Sequence, residues 1–277
     1  MQDAFVHCAG LVRTADRDRY IASLFAPAEC RAALHALYAF NLEIARVREA
    51  ARQPMAGEIR LQWWREVIVG ERGGEAQANP VAAALLATIV RHRLAIAKLT
   101  TLIEARRFDL YDEPMATIAD LEDYARRTSS ALIALAADIL GVDAQAAAEP
   151  AGIAYAVTGL VRAFPQHAAR HQLYVPLELL DRFQVRPQSI YAGQASTGLI
   201  EALAALRNRA RRHLRTAHER VVMLAAEALP AFLQVAVVGR SLDRLERDDV
   251  FAPMELPPWR RQWLIWRAAR NPARIAG

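Results

Sequence analysis

RAALHALYAFNLEIARVRE, residues Arg31 to Glu49, reads as one long helix. Leu34, Leu37, Tyr38, Phe40, Ile44 and Val47 recur near a 3.6-residue period and make a broad apolar surface. No Gly or Pro interrupts the run before Pro54. Asn41, Ala45 and Glu49 are four residues apart, so on a continuous helix they share one face. The rest of the chain is expected to pack helices around that face, and what the face lacks decides the functional reading.

Outward from this stretch, Pro27 stands near the helix start, where its missing N–H costs little. Pro54–Gly57 is expected to end the helical region. Further helices are expected over Glu58–Val69, Val81–His92, Ala95–Leu110 and Ile118–Leu140, the last stopped by Gly141 as C′ residue. Pro150 and Gly152 open a helix that Pro165 ends or kinks. A short helix follows from Pro176 to Phe183, then longer ones over Glu201–Leu224 and Pro230–Leu245, and a last one over Trp259–Arg270. Met1–Arg19 reads as a mixed arm, and ERGGEAQANP (Glu71–Pro80), HAARHQLYVP (His167–Pro176) and Ala192–Gly198 as loops. No alternating strand pattern, fixed-period repeat or low-complexity tract is present. The expectation is one all-α domain of about ten helices over residues 1–277, with a basic C-terminal helix and tail from 259 to 277.

Composition agrees with helix: 54% of the 277 residues are hydrophobic and only 7% aromatic. The net charge is +5, and Lys98 is the sole lysine, so the positive charge is almost all Arg. GC-rich codon usage accounts for that bias as well as an anionic partner does. Cys8 and Cys30 have no metal-ligand spacing and read as two free thiols in a reducing compartment. The first ~20 residues carry Asp3, Asp16 and Asp18 and no signal-like apolar run. No window reaches the ~18 uncharged apolar residues of a membrane span. The expected location is the cytoplasm, with peripheral attachment to the inner membrane in view.

Motifs for nucleotide, zinc, serine-hydrolase or redox chemistry are absent. His167 and His171 are four apart, but Pro165 lies just upstream and no third ligand is near, so they read as loop or core histidines. RNRARRHLRTAHER (Arg207–Arg220) is dense in Arg without interleaved aromatics, and reads as a solvated face or partner surface rather than a nucleic-acid site. PPWRRQWLIWRAAR places Trp259, Trp263 and Trp266 near one face with Arg260, Arg261, Arg267 and Arg270 around them. That is the make-up of a peripheral membrane anchor, and equally of a terminal helix docked on the core.

ALYAF (Ala36–Phe40), LQWWR (Leu61–Arg65), EARRFDL (Glu104–Leu110), LEDYARRTSS (Leu121–Ser130) and RHQLYVPLELL (Arg170–Leu180) resemble the squalene/phytoene synthase family in order and spacing, from about Asp18 to Phe251. The resemblance implies the isoprenoid (terpenoid) synthase fold, a helical bundle around a central cavity. It also implies two aspartate-rich helices whose carboxylates hold Mg²⁺ for the diphosphate of a prenyl substrate, since hard Mg²⁺ takes oxygen ligands.

The sequence departs from the family at those very positions. The first motif falls on Ala45, Arg46 and Glu49, beyond Tyr38 and Asn41. The second falls on Gly159, Ala163 and His167, upstream of Tyr174, with its arginine kept as Arg162. One carboxylate beside Arg46 and Arg48 does not hold a cluster of Mg²⁺ ions. Gly159 and Ala163 read as a strip for close helix packing. AFNLEIARVRE, RLQWWRE and LPAFLQ further resemble a non-catalytic branch of the family, typified by a mitochondrial respiratory complex I assembly factor. That implies a protein partner, an assembly role and no cofactor. Two alternatives stand: a prenyltransferase with an atypical Mg²⁺ site using Tyr38, Glu49 and Arg162, and a carrier holding an isoprenoid or lipid in its cavity.

Overall fold

The structure is a computed structural model that describes residues 1–51, 53–247 and 249–275; the last two residues of the expected tail lie outside them. Among the described residues there is no strand. The helices are α1 (Gln2–Ala15), α2 (Arg17–Ser23), α3 (Ala28–Ala45), α4 (Val47–Ala50), α5 (Pro54–Ile68), α6 (Gly73–Ala78), α7 (Pro80–His92), α8 (Ile96–Arg106) and α9 (Ile118–Ala125). They continue with α10 (Ala131–Ile139), α11 (Gln145–Arg162), α12 (Phe164–Ala169), α13 (Leu177–Arg182), α14 (Pro187–Tyr191), α15 (Thr197–Val221), α16 (Val238–Leu245) and α17 (Pro258–Arg270).

Prolines account for much of this division. Pro54 opens α5 at its first position instead of closing what precedes it, because an N–H there would have no partner anyway. Pro80 and Pro258 do the same for α7 and α17. Gly141 takes φ +78° just beyond α10, the left-handed stop its position predicts. Pro150 departs from expectation by lying inside α11. Its missing N–H frees the Ala146 carbonyl, and the Arg220 guanidinium of α15 donates to that oxygen instead.

The expected N-terminal arm is a helix. Ala4, Cys8 and Val12, at i, i+4 and i+8, are buried against α3 and α7, while the charges of α1 face out. Part of the Glu71–Pro80 loop is α6, and part of the loop after Pro165 is α12. Residues 226–237 wind as tight three-residue turns around Pro230, so the expected Pro230–Leu245 helix is α-helical only from Val238.

α11 and α15 make the most extensive helix pair and form the middle of the core. A wide turn, Arg126–Ser130, joins α9 to α10 and packs on α11. A Cβ built on Gly152 would come within 2.3 Å of the Ser130 backbone, so only glycine admits this approach. Trp64 of α5 is fully buried with its ring centroid 5.1 Å from that of Phe40 on α3. Cys8 and Cys30 are free thiols, and burial pushes the Cys8 thiol up to about 11.

Candidate functional site

α3 does not run through to Glu49. It ends at Ala45, Arg46 leaves helical geometry (φ −98°, ψ 5°), and α4 restarts at Val47. The break follows from Arg48, whose guanidinium donates to the carbonyls of Asp109 (3.0 Å) and Tyr111 (3.2 Å) and pairs with Asp112. Tyr38 and Asn41 stay buried on α3 and Ala45 is half-buried at its end. Glu49 falls off their shared face: it is exposed and pairs with Arg170 at 3.2 Å. Arg46 also points to solvent.

The second set of positions lies at the end of α11 and on α12. A Cβ on Gly159 would meet nothing within 4 Å, so the expected Gly159–Ala163 packing strip is absent. Gly159 lies on the same turn-to-turn face as Tyr155 and Arg162. Those two side chains line a polar cavity of about 490 Å³, with Asp16, Arg17, Asp18 and Arg261 on its other side.

Beside that cavity lies a cluster the sequence reading left out. Arg19 is buried, pairs with Asp16 at 2.5 Å, and stands 5.0 Å from the Tyr155 ring centroid and 5.7 Å from that of Tyr38. Tyr38 Oη and Arg19 Nε have no hydrogen-bond partner among the described residues. Burial raises the Tyr38 phenol well above its ordinary range, with Arg19 opposing. Asp18 is clamped by the Arg261 guanidinium, which ties α2 to α17. The signal was the alternating Asp16-Arg17-Asp18-Arg19, read only as part of a mixed arm.

His167 and Tyr174 belong to a different cluster. Tyr174 Oη and Tyr124 Oη donate to Asp109 Oδ1 at 2.7 and 2.8 Å, and Arg106 Nη1 donates to Asp109 Oδ2 at 3.1 Å and to Tyr124 Oη at 2.7 Å. The His167 ring packs on Tyr174 with centroids 4.6 Å apart. Burial lowers the His167 imidazole to about 4, Asp109 opposing and Arg170 and Arg48 adding to it, so it is neutral at pH 7. Asp109 and Tyr124 lie inside segments that carry the family resemblance, yet neither stands at a position compared for metal binding. The apolar cavity nearby, lined by Val157, Leu160, Phe164, His167, Tyr174 and Leu206, has a volume of about 10 Å³.

The Mg²⁺ that the fold family implies does not fit these donors. Ala45, Gly159 and Ala163 supply no oxygen, Glu49 faces solvent in an ion pair, and His167 is stacked on Tyr174. Among the described residues no three His, Cys, Asp or Glu side chains gather as a metal site. His171 stacks on Tyr191, apart from His167, so the two do not form a pair of ligands.

The basic segments resolve differently. On α15, Arg209 and His213 bind Glu122, Arg211 binds Glu246 and Arg207 is buried, so much of the run holds the fold together. On α17, Leu264, Ile265 and Ala268 are buried while Trp259, Trp263 and Trp266 are 68%, 47% and 45% exposed. The docked reading of that helix is met, and its three tryptophans lie partly exposed on the side away from the core. No helix among the described residues is long and apolar enough to cross a membrane.

The sequence profile of squalene/phytoene synthases matches residues 12–267. A rat protein named NADH dehydrogenase (ubiquinone) complex I, assembly factor 6 is 31% identical, over 91% of this chain and 77% of its own. A 15-cis-phytoene synthase of Synechococcus elongatus is 23% identical over 94% and 91%. The crystal structure of a dehydrosqualene synthase superposes with a TM-score of 0.82 at 17% identity, over 97% of this chain and 96% of that one. At that identity the likeness shows the fold, which is the all-α isoprenoid synthase fold.

Proposed function

We propose, from the premise that the chain belongs to the squalene/phytoene synthase family, that it is an assembly factor for respiratory complex I which has given up prenyl-transfer chemistry. One observation carries the reading. The positions where the family places its metal-binding carboxylates hold Ala45, Ala163 and His167, and the remaining Glu49 is turned to solvent and paired with Arg170. The name of the rat relative supplies the assembly role. The proposed partner is a protein, a complex I subunit or assembly intermediate. No cofactor is required, and the work is done at an inner-membrane surface approached through α17.

The test is complementation. Cells lacking the mitochondrial assembly factor 6, given this chain behind a mitochondrial leader, should regain assembled complex I on native gels. Failure to restore it by a folded, correctly imported chain would sink the reading.

The prenyltransferase reading keeps one observation in its favour, the 490 Å³ polar cavity beside Arg162. It is separated by magnesium titration calorimetry with a non-hydrolysable farnesyl diphosphate analogue and by assay for released diphosphate. The proposal expects neither heat nor turnover. An isoprenoid carrier finds little support, because an apolar space of about 10 Å³ is far below the roughly 300–1,000 Å³ of ordinary ligand pockets.

A further inference from the structure

α17 shows the solvent a face unlike the one it gives the core. At the turn of an α-helix, Trp259, Trp263, Trp266 and Arg270 fall within about 60° of one another, opposite Leu264, Ile265 and Ala268. The inner three are buried, while the indoles are 68%, 47% and 45% exposed. Their i, i+4, i+7 spacing sets them in one stripe roughly 10 Å long.

Guanidinium groups lie over and beside this stripe. Arg267 stands 4.6 Å from the Trp263 ring centroid and Arg270 4.5 Å from that of Trp266. α17 contains no acidic residue, and Asp18 is taken by Arg261 on the inner side. Among the described residues the guanidinium groups of Arg260, Arg267 and Arg270 make no ion pair or hydrogen bond, and Arg267 Nε is buried without an acceptor.

A bilayer takes up a helix whose apolar face is free to sink among the headgroups. The apolar face of α17 is already held by the core, and two of its outward rings carry a guanidinium across them. Tryptophan beside arginine is instead the make-up of the centre of a protein interface, where these two residue types anchor affinity. An i, i+4, i+7 row is also how one helix enters a groove on another protein. Arginine forks without partners call for carboxylates, which they bind in bidentate fashion.

We infer that the Trp259, Trp263 and Trp266 stripe of α17, with Arg260, Arg267 and Arg270, docks in a groove of the protein partner that has an apolar floor and a rim of Asp or Glu. This deepens the assembly-factor reading and rests on it. The indoles fill the floor and the guanidinium groups take the rim, so α17 meets the membrane surface through the partner and not through lipid.

The test uses the full chain behind a mitochondrial leader in cells lacking assembly factor 6. The wild type should restore complex I on native gels and co-purify complex I subunits, less so as salt rises. Trp263→Ala with Trp266→Ala should lower the subunits recovered about tenfold or more, because truncating a central interface tryptophan commonly costs that much affinity. Trp263→Phe with Trp266→Phe should keep most of the recovery. Arg260→Glu with Arg270→Glu, at two exposed positions, should lose as much as the alanine pair with an unchanged circular dichroism melt. Restoration by the wild type that the alanine and glutamate pairs both leave intact would overturn the docking stripe and keep the assembly reading. A folded, imported wild type that restores nothing would overturn both. Flotation with vesicles of phosphatidylcholine and phosphatidylglycerol separates lipid from protein: binding by the wild type that the alanine pair abolishes would overturn the groove in favour of a bilayer.

Discussion

Two buried tyrosine clusters differ in how their polar atoms are met. Around Asp109, two phenols and a guanidinium converge on one carboxylate, and Arg48 caps the Asp109 carbonyl from α4. Around Arg19, one carboxylate is matched, but Tyr38 Oη and Arg19 Nε are left over beside a 490 Å³ cavity. The first cluster is a pin that joins the 107–110 turn, α9 and the segment before α13. The second stands beside a polar cavity lined by Asp16, Asp18, Tyr155, Arg162 and Arg261. Both clusters are buried and each leaves one guanidinium Nε, of Arg106 or of Arg19, without a partner among the described residues, so what separates them is the phenol of Tyr38, which is unmet where those of Tyr124 and Tyr174 are bonded.

The largest way to break this contrast is Asp109→Ala. It strands two phenols and the Arg106 guanidinium in the interior, and the expected loss is about 3–5 kcal/mol of unfolding free energy in urea. A loss below about 1 kcal/mol would mean the pin carries no load.

Acid should act on both clusters. His167 lies against the first; His35, bonded to Ser23 Oγ at 2.8 Å and stacked on Tyr20, lies near the second. Burial holds each imidazole at about 4, with Arg31 adding to the effect at His35. The unfolded chain takes up these protons near the ordinary value of about 6.5, and the folded chain resists until about 4. Their contribution is therefore fully present above about pH 6.5 and is lost as pH falls toward 4, on the order of 3 kcal/mol for each imidazole. Urea melts across that window check it, and glutamine at each position should flatten the profile. A wild-type profile that is already flat would contradict the burial argument.

Two glycines on one helix sharpen the comparison further. Gly152→Ala drives a methyl into the Ser130 backbone and should cost about 1–3 kcal/mol. Gly159→Ala, with nothing within 4 Å, should instead stabilise by roughly 0.5–1 kcal/mol. Thermal melts of the two variants should move in opposite directions, and a shift in the same direction would place Gly159 against something.

The smallest effect is expected at Tyr38→Phe. A hydroxyl without a partner can be removed within about 0.5 kcal/mol of the wild type, or with a gain. A loss of about 2 kcal/mol would reveal a bound water or ligand on Oη.

Most helices were legible because apolar periodicity and proline placement agree along the chain, and the positions Ala45, Gly159 and Ala163 could be named from the family resemblance of the segments beside them. The break at Arg46 could not. Val47 keeps the apolar period going, and the cause is Arg48 reaching carbonyls some sixty residues away. Pro150 misled for a similar reason, since the group that makes it tolerable is on α15. Asp109 was missed because its partners Tyr124 and Tyr174 lie on separate segments, and neither partner is close to it in sequence.

The Arg220 donation to Ala146 carries a consequence for how the molecule is made. Synthesis delivers the Ala146 carbonyl 74 residues before Arg220 exists, and until then α11 has an open carbonyl in its first turns. That end of α11 should exchange its amide hydrogens freely until α15 docks. The middle of the core is thus completed backwards, its earlier helix closed by its later one, and a nascent chain halted before Arg220 holds an unfinished centre for chaperones or partners to meet.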